Sequence, residues 1–159
     1  MEVEFDVKME TGILYEYLMH HTFTSLSGLL GAVVGALLLV AYYADRQLVF
    51  LVGGLIILIY QPWTLFLRAK KQMLTNPGFK KPLHYKLTEE GIEVSQDGEV
   101  QNQKWEDMYK AISTNSSIVV YTTPINACIF PKKDLGESKY KVIEMISTHM
   151  PPKKVKIKQ

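Results

Sequence analysis

The chain has 159 residues, 47% of them hydrophobic, and 18 Lys and Arg against 16 Asp and Glu leave a formal net charge of +2. That length excludes more than one small soluble domain beside any membrane segment. The single cysteine, Cys128, excludes an internal disulfide and agrees with a reducing compartment for the soluble part.

The first element read from the sequence is a strand. Val3, Phe5, Val7 and Met9 alternate with Glu2, Glu4, Asp6, Lys8 and Glu10, a period of two. A lone strand cannot bury its apolar face, so Glu2 to Met9 is expected to join a sheet formed by the C-terminal part. Thr11-Gly12 ends it, and Ile13 to His21 predicts a short helix. Residues 1–22 carry Glu2, Glu4, Asp6, Glu10 and Glu16 against Lys8 alone.

Two apolar runs follow, Leu26 to Tyr43 and Leu48 to Leu67, separated by Ala44 and Asp45-Arg46-Gln47. Neither contains Asp, Glu, Lys, Arg or His. At about 1.5 Å per residue each can cross a hydrocarbon core of roughly 30 Å, and so short a linker permits only an antiparallel hairpin. The expected spans are residues 23–44 and 48–67. A secretory signal peptide would need a basic start, whereas this run lies behind an acidic segment, and Tyr42-Tyr43-Ala44 puts bulky aromatics where cleavage wants small residues. The absence of ionisable groups at depth argues against a proton relay or a charged ion path.

Within the hairpin, Gly28, Gly31 and Gly35 give the first helix a small-residue face that Gly53 and Gly54 can oppose. Packing within the hairpin is the plainer reading, and self-association between copies is the other. Pro62 is expected to kink the second helix, with Trp63 on one side and Tyr42 and Tyr43 on the other as interfacial anchors. Arg68, Lys70, Lys71, Lys80 and Lys81 follow the second run, and a short-range Lys/Arg excess marks the cytoplasmic side. The expectation is a two-span protein of the cell membrane with both termini cytoplasmic, these bases either setting topology or holding the domain against an anionic leaflet.

After Asn76-Pro77-Gly78 the texture is again that of strands. Leu83 to Leu87 and Ile92 to Val94 flank Glu89-Glu90-Gly91, Asp97-Gly98 predicts a tight hairpin into Val100 to Trp105, and Ser113 to Ser117 is a polar turn. A further strand covers Ala127 to Phe130. Tyr140, Ile143, Ile146 and Met150 recur at helical spacing until Pro151-Pro152, and a solvated basic tail runs from Lys153 to Lys158. The fold class read from this order is an α+β membrane protein: a two-helix transmembrane hairpin and a domain, residues 80–152, with an antiparallel sheet of five or more strands closed by a C-terminal helix. Residues 153–159 are left as the tail.

Candidate chemistry is thin. His20 and His21 are adjacent on a helix and point about 100° apart, which suits no metal pair with Cys128, His84 or His149. Glu106-Asp107 reads as a strand end rather than an acid-base pair, Cys128 as a buried thiol, and Trp105 as a core residue under the C-terminal helix. No catalytic residue, metal or cofactor is expected. No aromatics are interleaved with the bases, which excludes a nucleic-acid site of that kind.

Five segments in this order, Phe5-Asp6-Val7, Leu18-Met19-His20-His21, Thr88 to Val94, Trp105-Glu106-Asp107-Met108-Tyr109 and Ile129 to Leu135, resemble the YcxB-like family of bacterial membrane proteins. The resemblance implies a membrane-anchored domain similar to bacterial pleckstrin-homology-like (PH-like) folds, a bent antiparallel sheet with one end plugged by a helix. It implies no catalytic residues. The functional expectation is a non-enzymatic, membrane-anchored interaction or regulatory module, and the alternative is a small oligomeric transport- or immunity-type membrane protein. Expected partners are the lipid bilayer and a protein whose identity the sequence does not give, with homo-oligomerisation left open.

Overall fold

A computed structural model describes residues 2–157. Strand β1, Val3–Val7, buries alternate residues as its pattern requires, and it leads into helix α1, Thr11–Phe23. Ser25 then caps helix α2, Leu26–Asp45, its hydroxyl accepting the N–H of Gly28. Arg46 ends α2 in a left-handed conformation, φ 56°, and Gln47 leads into helix α3, Leu48–Thr75. Both long helices are long and apolar enough to cross a membrane. Helix α3 runs through Pro62 and continues two turns past Leu67, so the expected second run is the upper part of a longer rod.

The remaining chain forms two four-stranded sheets rather than the single sheet expected from the pattern. The first contains β1, β2 (Leu83–Leu87), β3 (Gly91–Gln96) and β4 (Glu99–Lys104), in that order and all antiparallel. The hairpin is therefore inserted between two neighbouring strands, since Phe5 lies opposite Tyr85 and Val7 opposite Leu83. Asp97 and Gly98 both take positive φ, 52° and 87°, as the two-residue β3–β4 turn demands. At Gly91 the backbone of Gln103 comes so close that any Cβ would collide with its carbonyl oxygen.

The second sheet runs β7 (Ala127–Pro131), β6 (Ser117–Tyr121), β5 (Lys110–Ser113), β8 (Val155–Lys156). The tail expected to be solvated is partly structural: Val155 and Lys156 pair in parallel with Ala111 and Ile112, and Ile157 packs on the core. Lys158 and Gln159 lie outside the described residues. A short helix α4, Lys132–Leu135, touches β1, and helix α5, Lys139–His149, buries Val142, Ile143, Met145 and Ile146.

Between the sheets Phe130 meets Phe5 edge-on at 5.2 Å and Tyr85 at 4.9 Å. Both partners lie on the first sheet and Phe130 on the second, so this aromatic trio joins them. Strand β6 is buried at all five positions, which requires cover on both of its faces. The inner face looks at the first sheet. The outer cover is α1, with Ile13, Leu14 and the α3 residue Ala69 all in the common core.

Candidate functional site

The hairpin closes on small residues. A methyl added at Gly35 would sit 2.7 Å from Leu58 Cγ and 3.4 Å from the Gly54 carbonyl oxygen, and one added at Gly54 would sit 3.0 Å from the Gly35 carbonyl oxygen. At Gly31 the added methyl would meet Gln61 Nε2 at 2.5 Å. Gly28 and Gly53 are placed differently from the sequence reading. Gly28 is pressed against the backbone of Thr22 at the end of α1, and a Cβ at Gly53 would make only an ordinary 3.7 Å contact with Leu38. Sequence reasoning passed over Gln61, whose Nε2 donates to the Gly28 carbonyl oxygen at 3.4 Å. Its signal was there, as a lone amide in an apolar run beside Pro62.

The five bases lie on different elements, three on α3 and two after it. Arg68, Lys70 and Lys71 are exposed on α3. Lys80 and Lys81 follow the end of α3 and the 3-10 turn Pro77–Phe79. Lys81 is paired with Asp97 of the β3–β4 turn at 2.8 Å.

The junction between α1 and the second sheet is the most developed polar and aromatic cluster. Glu16 accepts the N–H of Ser116 at 3.1 Å and also its hydroxyl, tying α1 to the β5–β6 turn. Burial acts to raise the Glu16 carboxyl, but the donors of Ser116, Thr114 and Asn115 together outweigh it and hold the group below its ordinary value. One turn on, burial followed by the charge of Lys110 holds His20 below its ordinary value. Its Nδ1 is buried and has no hydrogen-bond partner. Tyr17 stacks on His21 at 5.9 Å and lies 6.0 Å from the Tyr121 ring, and its hydroxyl donates to the Ile125 carbonyl oxygen at 3.2 Å. Burial pushes Tyr121 up to about 12. The Lys110 ammonium lies over the Tyr121 ring at 4.6 Å. Beside the cluster a groove of about 320 Å³ runs between α1, the foot of α3 and β7, lined by Leu14, Leu18, Gln72, Asn76 and Ile129 among others.

The remaining candidates have structural surroundings. Trp105 is buried, its Nε1–H donates to the Thr88 carbonyl oxygen at 2.8 Å, and its ring stacks on His149 at 5.6 Å. Glu106 and Asp107 are exposed in a 3-10 turn, and Glu106 faces Lys104 at 3.8 Å. Cys128 is buried on β7, and that burial raises its thiol to about 11. Among the described residues no three His, Cys, Asp or Glu side chains gather closely enough to hold a metal ion.

Residues 87–144, from the last residue of β2 into α5, match the family described as YcxB-like protein. The resemblance is confined to these residues, which are similar to that family. No curated protein and no solved structure matches it. The YcxB-like region holds β3 to β7 and most of α5, including Ser116, Tyr121 and Lys110, whereas their partners on α1 and the whole hairpin lie outside the match. The junction is thus where the YcxB-like region meets the two apolar helices.

Proposed function

We propose that this protein is a membrane-anchored, non-enzymatic interaction module in which a PH-like sheet domain is held rigidly on a transmembrane hairpin. The observation that carries this reading is the double attachment of the domain. Strand β1 enters the first sheet from one side of the hairpin, while α1 and the foot of α3 cover the outer face of the second sheet. A domain fixed at both points presents its free surfaces at a constant height and orientation to the bilayer. Those surfaces are the solvent face of the first sheet and the unpaired edge of β4, whose residues are nearly all exposed. An open strand edge is a ready template for an extended segment of a partner protein.

In this reading the hairpin crosses the cell membrane twice. The sheet domain and β1 share the cytoplasmic side, as the bases Arg68, Lys70 and Lys71 favour. Two sheets packed face to face with α5 against their core support the PH-like assignment. That Gly31, Gly35 and Gly54 are used inside one hairpin favours this module over the oligomeric transport- or immunity-type alternative.

Photoreactive side chains placed singly at Asn102 on β4 and at Val52 on the outer face of α3 test the choice in living cells. The module reading expects adducts with a different protein from Asn102 and none between copies from Val52. Copy-to-copy adducts from Val52, with none from Asn102, would reverse it.

A further inference from the structure

The heights of three contacts locate one end of the second sheet relative to a membrane, given the spanning hairpin proposed above. Leu48 to Leu67 rises about 30 Å, so the hydrocarbon boundary on the domain side falls near Leu67. Tyr15 meets Phe66 edge-on at 5.7 Å, which sets the middle of α1 at that boundary. The end of α1 is higher, because Thr22 is pressed on Gly28, and Gly28 is bonded to Gln61 more than a turn above Phe66. Because the apolar run of α2 begins only at Leu26, beside Gly28, the boundary lies across α3 between Gln61 and Leu67, and His20 and His21 sit in that zone, where headgroups give way to acyl chains, taking strand ends with them. Tyr121 lies 6.1 Å from the His21 ring, and the Tyr109 N–H donates to the Tyr121 carbonyl oxygen at 2.8 Å. Ile125 is held to Tyr17.

At this depth the surface is of the kind an interface favours. Ile125 is 72% exposed and Tyr109 48% exposed, although each could have been polar at no cost to the core. Beside Tyr109 stands Lys110, its ammonium over Tyr121 and 5.8 Å from the Tyr109 ring. We propose that Tyr109, Lys110 and Ile125 form a second membrane contact, seated in the headgroup layer of the leaflet from which the hairpin rises. Ile125 and the Tyr109 ring reach the acyl boundary, and Lys110 meets the phosphate of anionic phospholipid. A protein partner is disfavoured because the bilayer already occupies this height.

The test uses the full chain in vesicles of phosphatidylcholine with phosphatidylglycerol, bearing one spin label at Ile125→Cys, Asn102→Cys or Val52→Cys, with the unlabelled-site parent as blank for Cys128. Collisions with oxygen, which enters lipid, are compared with collisions with a water-soluble nickel chelate. The label at 125 is expected to lose nickel collisions and gain oxygen collisions relative to the label at 102, approaching the pattern at 52. Adding Lys110→Glu should return the label at 125 toward water in these vesicles and have less effect in pure phosphatidylcholine. A label at 125 as wet as that at 102, with 52 at depth, overturns this contact alone, and an unchanged Lys110→Glu variant overturns the phosphate assignment. A wet label at 52 overturns the spanning hairpin and this inference with it.

Discussion

Gly35 and Gly54 face each other across the hairpin with no room for a side chain on either: a methyl on Gly54 would lie 3.0 Å from the Gly35 carbonyl oxygen and 2.9 Å from Leu39. Backbone cannot move aside as a side-chain tip can. Gly54→Leu and Gly35→Leu should therefore each cost about 1–3 kcal/mol, the range for overpacking, whereas Gly53→Ala should be close to neutral. Thermal unfolding in detergent checks the order, and equal melting of Gly54→Leu and the parent would remove close packing as the basis of the hairpin.

The N-terminal strand is expected to be indispensable to the sheet domain. Phe5 is 8% exposed and touches both Tyr85 and Phe130, so Phe5→Ala should destabilise by about 3–5 kcal/mol in urea titrations. A fragment beginning at Lys80 should aggregate through the unpaired edge of β2, and a peptide of residues 2–9 should restore it. A stable monomeric fragment whose amide exchange ignores the peptide would place the strand elsewhere.

The Glu16–Ser116 tie has a defined pH window. The folded carboxyl titrates below its ordinary value of 4.5, so its contribution is complete above that pH and is lost as pH falls through the lower folded value. Glu16→Gln should be less stable than the parent at pH 7 by on the order of 1 kcal/mol, solvent screening keeping it small. The difference should vanish in strong acid. A gap independent of pH would mean that the charge contributes nothing.

His20 acts over a higher range. Its folded value lies below the ordinary 6.5, so the unfolded chain takes up the proton first and stability declines as pH falls below about 6.5. His20→Gln should flatten that decline. An unchanged slope between pH 7 and 5 would show that some other group controls it.

Much of this architecture was legible because apolar pattern alone determines it. The hairpin follows from two uncharged runs, β1 from the strict alternation of Val3, Phe5 and Val7, and the β3–β4 turn from Asp97-Gly98. The split into two sheets was hidden because Trp105 to Tyr109, where the chain changes sheet, carries no turn signal distinguishing a corner from a hairpin. Strand β8 was obscured by its lysines, although Val155 and Ile157 alternate. The junction was least visible: α1 has no clean apolar stripe, since it packs on α3 with one side and on the sheet with another. Glu16 and Tyr17 find partners about 100 residues away.

Cys128 should stay silent in the folded protein. With the thiol buried and raised to about 11, an aqueous disulfide reagent at pH 7 should react only after denaturant is added. Prompt reaction in the native state would mean that β7 opens readily.

Single cysteines at Gln47 and at Asn102, probed in intact cells with an impermeant thiol reagent, decide whether the hairpin crosses the membrane with the sheet domain on its cytoplasmic side. Gln47 should label without permeabilisation and Asn102 only after it. Labelling of Asn102 in intact cells, with Gln47 protected, would contradict that topology.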